Sequence, residues 1–367
     1  MKNWKKNKPH SNKLQKLEKH RAWAKKHREK LQEIRKENRE NAFDCGRIKA
    51  KKSLGQNFLH DFSVVENICK SVEIKDKIIV EIGSGTGFLT REILKNEPKK
   101  LVLIEKDTHL FKLLQKTFDR EIESGKVEAK NDDALIINIS ELAQNIYKFD
   151  KNVRELERDV GKLDKNVGKL NNDAGEFERN FAKLKQNKEN EQNKRNEKNK
   201  KNVNENKAGQ ITIIANLPYN IGTTLVINWL EWLDNIDNIV VMLQKEVVDR
   251  ICAIPKTKDY GRISVLAQSL CDVKKLFDVK PECFNPRPKV TSSVVKITPK
   301  KVSNRPNSDV VKELNRICKV AFSQRRKKLS NVFKNTEFAD KFSNDILEKR
   351  AEELSVEEYL QLAKIVE

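Results

Sequence analysis

The chain has 367 residues, enough for two or three domains, and its 37% apolar content lies below the globular average. Its formal net charge is +21, and residues 1–52 alone supply +13 of it, from 19 Lys and Arg against 6 Asp and Glu. A basic arm on a mildly basic body points to a polyanion partner such as nucleic acid. No apolar run is long enough to cross a bilayer as a helix, and the N-terminal residues lack the apolar segment of a signal peptide, so the cytoplasm is the expected compartment.

Residues 13–40 lack Gly and Pro, are rich in helix formers and carry few apolar positions, so 1–50 reads as a basic arm, helical or flexible. From Gly55 the pattern changes. "DKIIVEIGSGTGFLTREIL" reads as strand, glycine loop and helix, and "KLVLIEKD" as a strand ending in an acid. A helix over 107–119, a short strand in "KVEAKNDDAL", a strand at 211–215 and a helix across 223–234 follow. "NIVVMLQKEVVDRI" is strand then helix. This alternation predicts an α/β fold with a mostly parallel, doubly wound sheet. Segments 273–279 and 290–298 flank the Pro-rich "FNPRPKV", and 309–367 reads as all helical.

Residues 147–209 interrupt that order. Phe149, Val153, Leu156, Val160, Leu163, Val167, Leu170, Ala174, Phe177, Phe181 and Leu184 alternate spacings of four and three, the a/d pattern of a coiled coil. Gly161, Gly168 and Gly175 recur on its outer face, each costing about 1 kcal/mol relative to Ala. Self-association through 149–184 is one expectation. Residues 185–207 are low-complexity and expected to be disordered. The whole insert is expected to leave the sheet as a surface excursion. The expected organisation is therefore an arm over 1–50, a catalytic domain over 51–298 interrupted by 147–209, and a helical domain over 299–367.

Three places carry chemistry. "EIGSGTG" has glycines at 83, 85 and 87; a dinucleotide fingerprint would want its third at 88, which is Phe88. G-x-G-x-G suits a nucleoside ligand without a pyrophosphate, such as S-adenosylmethionine. Glu105 ends the next strand, 22 residues after Gly83, where a carboxylate can accept from ribose hydroxyls. Asp107 fits the helix N-cap there. Asp133 or its neighbour Asp132 could hold an adenine amine. Most specific is Asn216-Leu217-Pro218-Tyr219 at the end of an apolar strand. Pro218 stops the strand. A side-chain amide oxygen and a backbone carbonyl can hold an exocyclic amine, and the face of Tyr219 can stack on an extruded base. Cys45, Cys69, Cys252, Cys271, Cys283 and Cys318 are scattered without CxxC spacing, so neither a zinc site nor any other metal is expected.

With "LGQNFLHD" (54–61), "EIGSGTGFLT" (81–90), "IEKD" (104–107), "NLPYNI" (216–221), "YGRISVLAQ" (260–268), "FNPRPKVTSSVV" (284–295) and "AFSQRRKKL" (321–329) in order, the chain resembles the ribosomal RNA adenine dimethyltransferases of the KsgA family. The resemblance covers about 51–146 and 210–367. It implies a class I S-adenosylmethionine-dependent methyltransferase fold with a small helical C-terminal domain. It implies that Asn57, Leu59, Gly83, Glu105, Asp133 and Asn216 line the cofactor site. Asn216 and the Pro218 carbonyl would hold the target amine, and Tyr219 and Phe284 would sandwich the base. The implied reaction is dimethylation of two adjacent adenines near the 3′ end of small-subunit (16S-type) rRNA, with a role in subunit biogenesis. Arg325, Arg326, Lys327 and Lys328 are candidate RNA contacts. Ser84 departs from the family, which often has Pro there. The rival readings are an Erm-like enzyme acting on large-subunit rRNA and a catalytically silent assembly factor on the same fold.

Overall fold

The computed structural model describes residues 50–148 and 210–367. The expected arm over 1–50, apart from its last residue, and the heptads and the low-complexity tract lie outside the described residues. Tyr147 donates its hydroxyl to the Gln210 carbonyl at 3.0 Å, so the chain leaves and re-enters the described fold at one place.

In chain order the elements are β1 (Phe58–Leu59), α1 (Phe62–Lys70), β2 (Ile78–Ile82), α2 (Phe88–Lys95), β3 (Lys100–Ile104), α3 (Thr108–Thr117), α4 (Asp119–Glu123) and β4 (Val127–Lys130). A helix over 139–148, α5, follows. After it come β5 (Ile211–Asn216), α6 (Gly222–Trp229), β6 (Ile236–Gln244), α7 (Lys245–Ile251), α8 (Arg262–Leu270), β7 (Cys271–Val279), β8 (Phe284–Asn285) and β9 (Ser292–Pro299). The chain ends with α9 (Ser308–Ala321), α10 (Leu329–Phe333), α11 (Asn344–Leu347) and α12 (Val356–Val366).

Seven strands form one sheet in the order β4-β3-β2-β5-β6-β9-β7, parallel through β6 and antiparallel at β9 and β7. The inner strands are apolar on both faces because helices cover both. Alternation then sorts them: Val80, Val102 and Ile213 enter one core, and Ile79, Leu101 and Ile214 enter the other. A third core joins α9, α10 and α12 to Tyr260, Val265 and Leu266 around α8. Lys51–Glu367 forms one compact unit.

Two helices are shorter than the sequence reading gave. Asp107 caps α3 by accepting from the His109 N–H, so it precedes the helix. The chain stops being α-helical after Trp229 and tightens into a 3₁₀ turn at Leu233–Asn235 before β6.

The order of connections reverses between β2 and β5. From β2 the chain moves outward to β3 and β4, and after the insert it returns to β5 and moves the other way. A ligand crevice opens beyond the strand ends at such a switch point.

Candidate active site

Register assembles the site. Ile82 lies opposite Ile104 on one side and Ala215 on the other. The next residues, Gly83, Glu105 and Asn216, therefore emerge side by side at the switch point. Gly83 donates its N–H to the Ile104 carbonyl at 2.8 Å, which fixes the start of the glycine loop. Gly85 has φ of 57°, and a Cβ there would come within 3.4 Å of the Phe58 ring. That contact is an ordinary one, so it is the left-handed backbone that favours glycine here.

A cleft of about 170 Å³ lies over these strand ends. Of the residues expected at the cofactor, Asn57, Leu59, Gly83, Glu105, Asp133 and Asn216 all line it, together with Asp132, Pro218 and Tyr219. Glu105 is buried, and one carboxylate oxygen accepts from Gly85 N–H and the other from Asp107 N–H, both at 2.8 Å. Burial raises its pKa, against the pull of those amide donors. Asp133 accepts from Lys106 Nζ at 2.6 Å and from the Leu135 N–H at 3.0 Å; the lysine holds its carboxyl below the ordinary range. Asp132 is exposed, and among the described residues its side chain accepts only from the Asp133 N–H.

The segment 51–59 forms a strap along the cleft. Lys51 Nζ and Gln56 Nε2 donate to the two oxygens of Asp107 at 2.8 and 3.0 Å. Burial alone would raise the Asp107 pKa, but these donors hold it low. At its other end the strap pairs through β1 with β8, Leu59 opposite Phe284. Between them, Asn216 Nδ2 donates to the Asn57 carbonyl at 3.2 Å. That bond sets the amide's orientation: the NH₂ faces the strap, and Oδ1 is left as an acceptor.

Three expected roles meet a different geometry. The Pro218 carbonyl accepts from the Ile221 and Gly222 N–H groups at 3.2 and 3.1 Å, so the start of α6 occupies it. No hydrogen bond to the Leu217 carbonyl is found among the described residues. Phe284 is buried and is not on the cleft wall, because the β1–β8 pairing turns its ring into the core beside Leu59. Arg325 donates to Glu352 and to the Thr257 and Lys258 carbonyls, which makes it a clasp between the C-terminal helices and the loop after α7. Lys328 pairs with Glu348, and Arg326 and Lys327 are exposed.

The residue that sequence reasoning passed over is Glu81. It is 1% exposed on β2, lines the cleft, and accepts from Thr90 Oγ1 at 2.7 Å. Burial pushes its pKa up to about 8, and nearby Glu105 adds to the rise. Its place inside an apolar strand was the available signal: a carboxyl there must be functional or protonated. A raised folded-state pKa means the folded state holds this proton more tightly than the unfolded chain. The stability it contributes is full below the ordinary value of 4.5 and is lost as pH rises through about 8. Glu81→Gln should flatten that decline, read from urea midpoints of the cofactor-free protein at several pH values across that window. A decline as steep as that of the wild type would contradict the assignment.

The cleft fits a cationic nucleoside. Its glycine loop runs in a left-handed backbone along the wall, Glu105 offers acceptor capacity, and among the described residues the buried Ser84 hydroxyl has no hydrogen-bond partner.

Comparisons with known proteins agree. Residues 47–367 match the family described as ribosomal RNA adenine dimethylase. A ribosomal RNA small subunit methyltransferase A of Pelagibacter ubique (strain HTCC1062) is 33% identical over 325 residues, covering 86% of this chain and 97% of that protein. The protein of the same name from Wolbachia sp. subsp. Drosophila simulans (strain wRi) is 34% identical over 329 residues, covering 87% of this chain and 94% of that one. Two solved structures share the fold. A dimethyladenosine transferase from Plasmodium falciparum has TM-score 0.55 at 22% identity, covering 83% of this chain and 95% of that one. The 23S rRNA methyltransferase ErmE has TM-score 0.52 at 16% identity, covering 84% and 99%. The fold is that of the class I S-adenosylmethionine-dependent methyltransferases, and the chain belongs to the ribosomal RNA adenine dimethylase family.

Proposed function

We propose that this protein dimethylates the exocyclic amines of two adjacent adenines near the 3′ end of small-subunit rRNA. The observation that carries the reading is the Asn216 amide, held by the strap through its NH₂ and with no donor to its oxygen among the described residues, at a strand end on the wall of the cleft. In this reading Glu105 holds the ribose, Asp133 the cofactor's adenine, and Gly83 with Asn57 and Leu59 the methionine end. Asp133 is preferred over Asp132 because Lys106 and the Leu135 amide fix its carboxylate. We assign residues 51–298, without the insert, to the catalytic domain and 299–367 to the helical domain. Among the described residues no helix is long and apolar enough to cross a membrane.

When bound, S-adenosylmethionine would supply an electrophilic methyl on a sulfonium sulfur, and the neutral thioether would be the leaving group when the target amine's lone pair takes that methyl. Asn216 Oδ1 and the neighbouring Leu217 carbonyl accept from the target amine and aim its lone pair. The face of Tyr219 carries the base. Asn216 takes no proton; the methylated amine is acidic enough to lose one to water. The work of the chain is therefore placement, which is worth several kcal/mol of barrier.

Small-subunit and large-subunit particles from cells lacking the modification, incubated with radiolabelled cofactor, separate the readings. Label in the small subunit near its rRNA 3′ end supports the proposal. Label in the large subunit supports the Erm-like alternative, and no label in either supports an assembly factor.

A further inference from the structure

Two adjacent serines, Ser292 and Ser293, open β9, and both are fully buried. Successive strand residues face opposite sides of a sheet. Ser293 donates its hydroxyl to Asp278 Oδ1 on β7 at 2.6 Å, a bond within the edge of the sheet. Ser292 faces the other way, and its Oγ lies 2.6 Å from the Tyr219 hydroxyl across 73 residues of chain.

The two ends of that hydrogen bond are unequal. Ser292 sits between two paired strands, opposite Gln244 of β6 and Val279 of β7. The Lys245 N–H donates to the Thr291 carbonyl just before it, at 2.9 Å. It is a fixed point. Tyr219 stands on the turn after β5, half-buried on the cleft wall. Its ring turns about two side-chain torsions, and the second is broad for an aromatic residue. A bond at the hydroxyl tip, added to the backbone at Cβ, fixes the first: it holds the Cβ-to-hydroxyl axis and with it the position of the ring, while the second torsion turns about that axis. Phe284, the expected second wall for the base, has its ring in the core. A base stacked on Tyr219 therefore takes its position from the ring axis that the bond to Ser292 holds. The 2.6 Å separation is at the short end for O–H···O.

We propose that Ser292 is a positioning residue for the target base: its hydroxyl pins the Tyr219 ring so that the stacked adenine presents its amine to Asn216. The proposal rests on the reading of Tyr219 as the base platform. It gives the tyrosine hydroxyl a task that the sequence, which offered only a ring face, did not suggest.

The test uses the full chain with 3-fluorotyrosine, whose four tyrosines give four fluorine signals, that of Tyr219 assigned by Tyr219→Phe. Ser292→Ala should shift and narrow the Tyr219 signal as the ring gains motion. In single-turnover methylation, Ser292→Ala and Tyr219→Phe should each slow the step about tenfold with cofactor affinity unchanged by calorimetry. The double variant should be no slower than either, because one bond is lost in all three. Ser293→Ala, which breaks the bond within the sheet, should lower the thermal midpoint while leaving the Tyr219 signal and the methylation rate unchanged. A Tyr219 signal unmoved by Ser292→Ala would overturn the proposal even if the protein is an active methyltransferase. A moved signal in a protein that methylates no RNA would instead sink the functional reading and leave the pin standing. Should Ser292→Ala fail to fold, Tyr219→Phe removes the same bond without opening a cavity; a wild-type rate for it would also overturn the proposal.

Discussion

Asn216→Ala is expected to abolish methyl transfer, by roughly a hundredfold or more, while changing cofactor affinity far less. The amide has two attachments with separate consequences. Its NH₂ holds the strap at the Asn57 carbonyl, and its oxygen is the acceptor directed at the amine. Losing the first loosens one of the strap's ties, but Lys51 and Gln56 still hold it at Asp107, and the β1–β8 pair still holds its other end. Losing the second removes the group that orients the nucleophile. Asn216→Asp separates them further. It keeps an acceptor but presents a carboxylate oxygen to the Asn57 carbonyl, so it should weaken the strap and the cofactor more than Ala does. Calorimetry with the cofactor and single-turnover rates on hypomethylated small subunits measure the two effects. Near-normal turnover of Asn216→Ala would remove this strand end from the catalytic centre.

Glu105→Ala should weaken S-adenosylmethionine binding by about 1–3 kcal/mol, or roughly one to two decades in Kd. A ribose loses its acceptor. The glycine loop loses the oxygen that fixes Gly85, and the turn into α3 loses the oxygen on Asp107 N–H. Glu105→Gln is informative because it has one oxygen for two backbone donors. It leaves one buried N–H facing an NH₂, so it too should lose affinity and some thermal stability. Unchanged calorimetric affinity in both variants would dismiss the ribose assignment.

The parts of the site written in contiguous residues were legible in the sequence. β2 with its glycines, Glu105 at the end of β3 and Asn216 at the end of β5 each announce themselves within a few positions. The doubly wound rule then places all three at one switch point. What sequence reading missed depends on contacts between distant segments. The ring of Phe284 is turned inward by pairing with Leu59, more than two hundred residues earlier. Arg325 is drawn to Glu352 and to carbonyls near residue 257, so its charge clasps the fold, although in the sequence it stands in a basic run. The Pro218 carbonyl is consumed by the first turn of α6, which the motif alone does not reveal. Ser292 acquires meaning only once β9 is laid beside β6 and its hydroxyl meets Tyr219. Glu81 was legible in principle, since a carboxyl in an otherwise apolar strand is costly unless protonated or partnered.

The most direct test of the account is nucleoside mass spectrometry of small-subunit rRNA after incubation with S-adenosylmethionine and either the wild-type protein or Asn216→Ala. The account predicts N6,N6-dimethyladenosine at two adjacent positions near the 3′ end with the wild type. With Asn216→Ala it predicts none above background, at cofactor concentrations that calorimetry shows to be saturating. Dimethyladenosine formed equally by both proteins, or a methyl found on any atom other than the adenine amine, would contradict it.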